Sequence, residues 1–351
     1  MPTREELKML QALPLDIKIR KTQQRIREWV EYYGEDGVYV SFSGGKDSAV
    51  LLDIVRKMYP GIEAVFVNTG LEYPEIVDFV KQHENVTILR PKKNFRQVLT
   101  EYGYPVISKE VSNVLNEARK LKPGKTKTIR MQRLEGTLLD HDENLSRYNI
   151  PQYKFLLNAP FRISDLCCDV MKKNPSKNFE HKHGKHGILG QMADESRLRE
   201  QKWLKVGCNG FQLKSPQSNP LSFWTNNDIL TYIHTYELPI ASVYGDVVPD
   251  DRGQIPGQTN IYDIIGEYQD CKFKTTGCDR TGCMFCLFGA HLEKGEGRLE
   301  RMKHTHPKRY EYVMGGGEFN NEGMWIPNNK GLGFKFVVDW LNENGNMNIK
   351  Y

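Results

Sequence analysis

Six consecutive residues, Ser43-Gly44-Gly45-Lys46-Asp47-Ser48, carry the types and spacing needed to hold a phosphate chain. They sit between a β-branched and aromatic run at 37–42 (GVYVSF) and a helical pattern at 49–58 (AVLLDIVRKM). The glycines let the backbone turn sharply and approach a ligand closely. A helix that opens directly after them presents N–H groups and a positive dipole end, a geometry that binds phosphate. Ser43 and Ser48 add hydroxyl donors and Lys46 adds a charge, while Asp47 can hold a Mg²⁺ that bridges phosphate oxygens. The spacing is not that of the Walker A loop, whose glycines stand further apart. The competing reading is a strand-to-helix turn that is glycine-rich for steric reasons alone.

The second group able to do chemistry is a set of thiols. Cys167, Cys168, Cys208, Cys271, Cys278, Cys283 and Cys286 are the seven cysteines, and none precedes Cys167. They are too sparse for a disulfide scaffold, and their clustering points to metal or redox chemistry. Cys283-Met284-Phe285-Cys286 is a C-x-x-C, with Cys278 and Cys271 just upstream and the adjacent pair Cys167-Cys168 far upstream. Such thiolates suit Zn²⁺ or an iron–sulfur cluster. Spacing alone leaves several ligand sets open. Cys167 or Cys168 can join Cys278, Cys283 and Cys286. Three close cysteines can hold a cluster with one open iron. Cys271, Cys278, Cys283 and Cys286 can bind a structural Zn²⁺, or a pair can form a redox disulfide. Cys208 reads as a small buried residue.

The hexapeptide resembles the pyrophosphate-binding PP-loop of the adenine-nucleotide α-hydrolase-like enzymes. The stretch 68–75 (NTGLEYPE) resembles the D-T-G-x-x-x-P-E segment of the phosphoadenosine phosphosulfate (PAPS) reductases, and 220–225 (PLSFWT) resembles their P-L-x-x-W segment. The segment 190–199 (GQMADESRLR) is similar to their G-x-R-x-x-E-S-x-x-R, with Gly190, Glu195, Ser196 and Arg199 matching. The resemblance implies an α/β PP-loop fold: a parallel sheet flanked by helices, with a cysteine-rich C-terminal extension. It also implies binding of ATP or another adenine nucleotide. Asn68, Thr69, Gly70, Gly190, Glu195 and Ser196 would line that site together with the loop, and Lys46, Asp47 and Arg199 would take catalytic roles. A Cys-Cys pair followed by a distant C-x-x-C is similar to the [4Fe–4S] ligand pattern of adenylylsulfate reductases. Met192 stands where the family's first arginine is expected, so one bidentate phosphate donor is missing.

Two reactions of such enzymes compete. Sulfonucleotide reductases make sulfite with a nucleophilic cysteine on a C-terminal tail, and no cysteine follows Cys286. The complete S-G-G-x-D-S loop instead resembles enzymes that split ATP into AMP and pyrophosphate. The expectation is therefore an adenylating sulfur-transfer enzyme with a sulfur donor and an acceptor that can be a nucleic acid. A nucleotide- and cluster-binding sensor without turnover is a further alternative.

The elements that must position these groups follow from periodicity. Residues 16–33 read as an amphipathic helix. Runs at 37–42, 62–67 and 86–89 read as strands alternating with helices at 49–58 and 73–83, the pattern of a parallel α/β sheet. Residues 94–136 read as helical in pieces, 187–190 as a strand and 225–236 as a helix capped by Thr225. Residues 296–314 and 334–342 read as further helices, and 315–317 (GGG) as a flexible break. The expected division is a nucleotide-binding domain over 1–215 and a C-terminal, cysteine-bearing region over 216–351.

Composition bounds the rest. The 351 residues carry 49 Lys and Arg against 44 Asp and Glu, a net charge of +5, which permits a phosphate-bearing partner without demanding one. Mean hydropathy is -0.59, no apolar window is long enough to span a membrane, and no signal-peptide pattern opens the chain. The expected location is the cytoplasm. A basic stretch over 119–133 and a second over 172–186 read either as solvated loops or as tracks for a nucleic-acid backbone. His181, His183 and His186 in the second read as surface residues more readily than as metal ligands.

Overall fold

The computed structural model describes residues 2–120, 128–250 and 271–351. The chain forms two compact units that interleave in sequence. Unit 1 comprises 1–68, 72–89 and 176–281; unit 2 comprises 69–71, 90–175 and 282–351. The boundary expected at 215 falls inside unit 1.

Unit 1 is built on a sheet. The strands β1 (Val38–Ser41), β2 (Ala64–Val67) and β3 (Val86–Leu89) come first. The chain then enters unit 2, where β4 (Val106–Ile107) lies, and returns with β5 (His186–Leu189), β6 (Asn209–Gly210) and β7 (Gln217–Ser218). The strand order is β3-β2-β1-β5-β7-β6, parallel except for β6. Val40 pairs with Ala64 on one side and Ile188 on the other. Val38, Val40, Ala64 and Ile188 are fully buried, as expected for parallel strands covered on both faces. Helix Lys46–Met58 lays Val50, Leu51, Ile54 and Val55 on this sheet. Helix Leu15–Tyr33 contributes the fully buried Ile26 and Trp29. The chain winds from β1 outward to β3 and then returns to the other side of β1 at β5, so the carboxyl ends of β1 and β5 form a switch point. Ligands of open α/β sheets bind at such points.

Unit 1 also holds an antiparallel pair, β8 (Val247–Pro249) against β9 (Phe273–Thr275). Helix Asn226–Thr235 begins at Thr225, whose hydroxyl accepts from the Asp228 amide in a reciprocal capping box, as its sequence predicts.

Unit 2 is mainly helical; among the described residues it holds a short parallel pair, β4 against β10 (Leu287–Phe288), and a short antiparallel pair, Glu318–Phe319 against Trp325–Ile326. Its core gathers Tyr104, Phe161 and Phe334, and the buried Tyr104 hydroxyl donates to the Leu332 carbonyl at 2.8 Å. The 296–314 pattern is two helices, Arg298–Thr305 and Pro307–Met314, because Pro307 cannot continue the first. The 315–317 triplet is not a flexible break. Gly316 and Gly317 have φ of +71° and +89°, and a Cβ on Gly317 would collide with the Trp325 ring. Glycine is required there for close packing.

Arg119, from the basic stretch, is also structural. Its guanidinium donates to the carbonyls of Leu156, Ala159 and Phe161 at 2.6, 3.1 and 2.7 Å. Arg133 pairs with Glu110, and Lys120 with Glu117. Lys122, Lys125 and Lys127 lie outside the described residues. In the second basic stretch Lys185 pairs with Glu63 at 2.7 Å, and His186 packs on the Tyr33 ring with centroids 3.9 Å apart. Among the described residues no helix is long and apolar enough to cross a membrane.

Candidate functional site

The hexapeptide leaves β1 at its carboxyl end and enters helix Lys46–Met58 through Gly45, the N-cap. Gly44 has φ +72°, and a Cβ there would stand 2.7 and 2.8 Å from the side chains of Ile76 and Val80. No other residue type fits without displacing that helix. Ser48 braces the loop: its hydroxyl donates to the Gly45 carbonyl at 2.8 Å and accepts the Ser43 amide at 3.1 Å. The Ser43 and Ser48 hydroxyls lie 3.0 Å apart. Gly190 follows β5, where a Cβ would press on the Asp47 carbonyl at 3.1 Å. The two glycine positions therefore let strand end and loop approach at the switch point. The amides of the first helical turn have no intrahelical acceptors.

Lys46 is buried at 3 % exposure, its amine 3.4 Å from Asp47 Oδ1 and 3.2 Å from the Asp279 carbonyl. Asp47 Oδ1 is buried without a hydrogen-bond acceptor role filled by any donor, which fits a carboxylate that completes its shell with a phosphate-bound Mg²⁺. The Tyr244 hydroxyl accepts the Lys46 amide at 3.2 Å and lies 2.5 Å from the Thr281 hydroxyl. Burial pushes the Tyr244 phenol up to about 12, so it stays protonated.

Arg199 enters from helix Arg197–Val206, capped by Ser196, and forms an ion pair with Glu195. Glu195 also accepts the Met192 amide at 2.9 Å. Burial lowers the Arg199 pKa, as does the neighbouring Arg280, while Asp47 raises it. Lys202, one turn on, is brought down to about 8 by burial and by Arg199. Lys46, Arg199, Lys202 and Arg280 thus supply cations to one region of unit 1. Sequence reasoning missed Lys202, Arg280, Tyr244 and Thr281, because no local motif marks them; only the return of the chain after β9 brings Arg280 and Thr281 to the loop.

Lys202 gives a pH signature. Its amine is charged below about 8 and neutral above, so it attracts an anion only on the acid side. ATP affinity is expected to fall several-fold as pH rises from about 7 to about 9, and Lys202→Met should flatten the profile. Equilibrium binding across that range checks it; an unchanged slope in the variant would exclude Lys202 from the anion site.

The thiols divide between the units. Cys167, Cys168, Cys283 and Cys286 belong to unit 2, and Cys271 and Cys278 to unit 1. All seven are free. Cys167 and Cys168 have sulfurs 4.0 Å apart and precede a π-helical turn, Asp169–Lys173, a distortion frequent at functional sites. Cys283 and Cys286 lie within electrostatic reach of Cys167, and the Cys286 amide donates to the Cys283 carbonyl at 3.2 Å. The Cys167 thiol draws Cys168 down to about 6, helped by Lys109 and Lys172. Cys167 is correspondingly pushed up by Cys168 and by burial. Burial also raises Cys286, against the opposing pull of the Phe288 amide and Arg298. Arg298 donates to the Cys286 carbonyl at 2.8 Å. Two cysteine pairs ringed by Lys109, Lys172 and Arg298 suit the negative charge of a thiolate-ligated cluster. Among the described residues no three His, Cys, Asp or Glu side chains close to ligating geometry as they stand.

Cys278 is buried in the turn after β9, its amide donating to the Val243 carbonyl at 2.9 Å. Cys271 packs with Leu230 and Phe273. Cys208 accepts from the Ser222 hydroxyl at 3.3 Å, and burial raises its pKa. Asn68 donates its amide to the Leu89 carbonyl at 2.9 Å in unit 1, while Thr69 and Gly70 belong to unit 2. The Thr69 hydroxyl accepts the Leu71 amide at 3.2 Å, and the Leu71 carbonyl accepts the Met284 amide at 2.9 Å. That bond joins the 68–75 motif to the C-x-x-C loop.

The sequence is similar to the adenosine 5'-phosphosulfate reductase of Staphylococcus haemolyticus, 24% identical over 249 residues that cover 69% of this chain and 79% of the relative. An uncharacterised protein of Methanocaldococcus jannaschii is 32% identical over 105 residues, 28% of this chain and only 25% of that protein's length. Among solved structures, the phosphate complex of the PAPS reductase from Candida auris aligns at a TM-score of 0.35 and 16% identity, over 69% of this chain and 91% of that one. The model of the phosphoadenosine phosphosulfate reductase domain matches residues 37–287, well over half of the chain, and the protein belongs to that family.

Proposed function

We propose that the protein is an ATP-dependent, pyrophosphate-releasing sulfur-transfer enzyme that carries a [4Fe–4S] cluster. The observation that carries this reading is the complete loop at the switch point: Gly44 and Gly190 permit close approach, Lys46 is buried beside Asp47, and Arg199, Lys202 and Arg280 add charge. An acceptor oxygen attacks the α-phosphorus of ATP, the P–O bond to the β-phosphate breaks, and pyrophosphate leaves. A hydrosulfide-level sulfur then displaces AMP, forming the bond from acceptor to sulfur. Lys46 and the first-turn amides take up the charge that builds on departing pyrophosphate, the electrostatic device that dominates such transfers. Asp47 is the residue that would hold Mg²⁺, which neutralises phosphate charge when bound. Cys167, Cys168, Cys283 and Cys286 would hold the cluster; four thiolates would cap all four irons, so the transferred sulfur would come from the sulfide donor itself, and Zn²⁺ on the same thiols is the alternative occupant. Arg199 orients the phosphates while Glu195 fixes its guanidinium.

A second reading rests on the relatives that are named adenosine 5'-phosphosulfate reductases, which match 69% of the chain. One experiment separates the two. Anaerobically purified protein with ATP, sulfide and mixed cellular RNA or DNA should release pyrophosphate and AMP in equal amounts. Sulfite formed from adenylylsulfate with a dithiol, without pyrophosphate release from ATP, would replace the sulfur-transfer reading by the reductase.

A further inference from the structure

Unit 2 contains a cavity of about 470 Å³ with Thr69, Phe95, Arg96, Phe285, Arg309 and Tyr312 on its walls. Its volume lies in the range of small-ligand sites. The apolar wall is aromatic. Phe95 and Phe285 are both buried, with ring centroids 5.6 Å apart, and Phe334 backs them at 6.4 and 6.3 Å. Tyr312 is 43% exposed at the rim, and its carbonyl is fixed by the Leu332 amide at 2.9 Å. The charged wall is cationic. Arg96 donates to the Asn329 side chain at 2.8 Å, and Arg309 reaches the Met284 sulfur at 3.5 Å.

The cavity shares a wall with the thiols. Phe285 and Met284 are the two residues between Cys283 and Cys286, and the Leu71 carbonyl ties Met284 to the Thr69–Leu71 segment. A group bound here therefore lies against the C-x-x-C loop itself. Aromatic faces beside arginines recognise an unstacked base and its phosphates. The basic stretch that sequence reasoning offered for this purpose spends Arg119 and Arg133 on internal bonds.

We propose that this cavity takes one unstacked base of a single-stranded nucleic acid, with Arg96 and Arg309 on the adjoining phosphates. Resting on the sulfur-transfer reading, this makes the cavity the acceptor site. The test uses the full chain and a fluorescent single-stranded oligonucleotide of mixed sequence, with anisotropy read over a salt series. ATP binding is measured on the same samples. Tyr312→Ala and Arg309→Ala are expected to weaken oligonucleotide binding about tenfold more than ATP binding, and Arg309→Ala should reduce the salt slope by about one. Tyr312, at the rim, keeps the test independent of folding, and unfolding midpoints verify both variants. Unchanged oligonucleotide affinity in both variants would overturn the proposal, as would an equal loss of ATP binding, which would make the cavity the pocket for the nucleotide's own adenine. Mononucleotides that bind as tightly as the oligonucleotide would overturn the polymeric acceptor. Binding requires no turnover, so its outcome is separate from whether pyrophosphate is released.

Discussion

Lys46→Met is expected to lower ATP-dependent pyrophosphate release by about 10²–10³-fold, the range found when a charge-stabilising donor is removed from a transition state. The lysine is the loop's buried cation, with its amine 3.4 Å from Asp47 Oδ1 and lying 5.9 Å from the centroid of the Tyr244 ring. Methionine keeps the stem, and so much of the packing, but leaves the buried Asp47 oxygen without its nearest positive charge. The variant should also lose about 1–3 kcal/mol of stability, the usual cost of stranding a buried charged acceptor. The two effects separate by measurement. Pyrophosphate release under saturating ATP reads the chemistry, and denaturant unfolding reads the fold. Release within a few-fold of the parent, with the unfolding shift present, would reduce Lys46 to a structural role. Asp47→Asn is the companion variant. It preserves the shape and removes the charge, so its loss of activity should be relieved in part by raised Mg²⁺.

The 43–48 loop is legible in the sequence because its signals are local. A strand, a glycine turn and a helix that follow one another within 38–58 put the loop at the carboxyl end of β1, and the positive φ of Gly44 explains why glycine stands there. The capping box at Thr225 and the strand at 86–89 were legible for the same reason. The division of the chain was not. A single boundary near 215 is what composition offers, whereas unit 1 is assembled from three separated segments and unit 2 from three others. Long-range return of the chain leaves no periodicity to read. Arg280 and Thr281 reach the loop only through the pairing of β9 with β8 and the turn after it, and nothing in their immediate neighbours signals that. The basic stretch misled in the opposite direction: a run of cations looks solvated, yet Arg119 is satisfied by carbonyls deep in unit 2. The glycine triplet at 315–317 was misread because glycine serves tight packing as readily as flexibility.

The cysteines give the sharpest remaining discrimination, because contact neighbourhoods separate sets that spacing leaves equivalent. Cys168, Cys283 and Cys286 all bear electrostatically on Cys167 within unit 2, whereas Cys271 and Cys278 belong to unit 1. Anaerobically purified wild-type protein is expected to be brown and to carry about four irons, as a [4Fe–4S] cluster requires. Serine at any of the four unit 2 positions should strip most of that iron and its visible absorbance. Cys278→Ser and Cys271→Ser should retain both. Losing the cluster should also lower the unfolding temperature by about 10 °C, since metal ligation contributes directly to folding and each kcal/mol is worth a few degrees in a chain of this size. Retention of iron in Cys168→Ser together with its loss in Cys278→Ser would move the centre to a set built on Cys278, Cys283 and Cys286. Colourless protein with one equivalent of zinc, lost on the same four substitutions, would keep the ligand positions and replace the cluster by a structural ion. Lys109 and Lys172 beside Cys168, and Arg298 beside Cys286, offset the negative charge of either centre, so the metal content and not the charge balance decides between them.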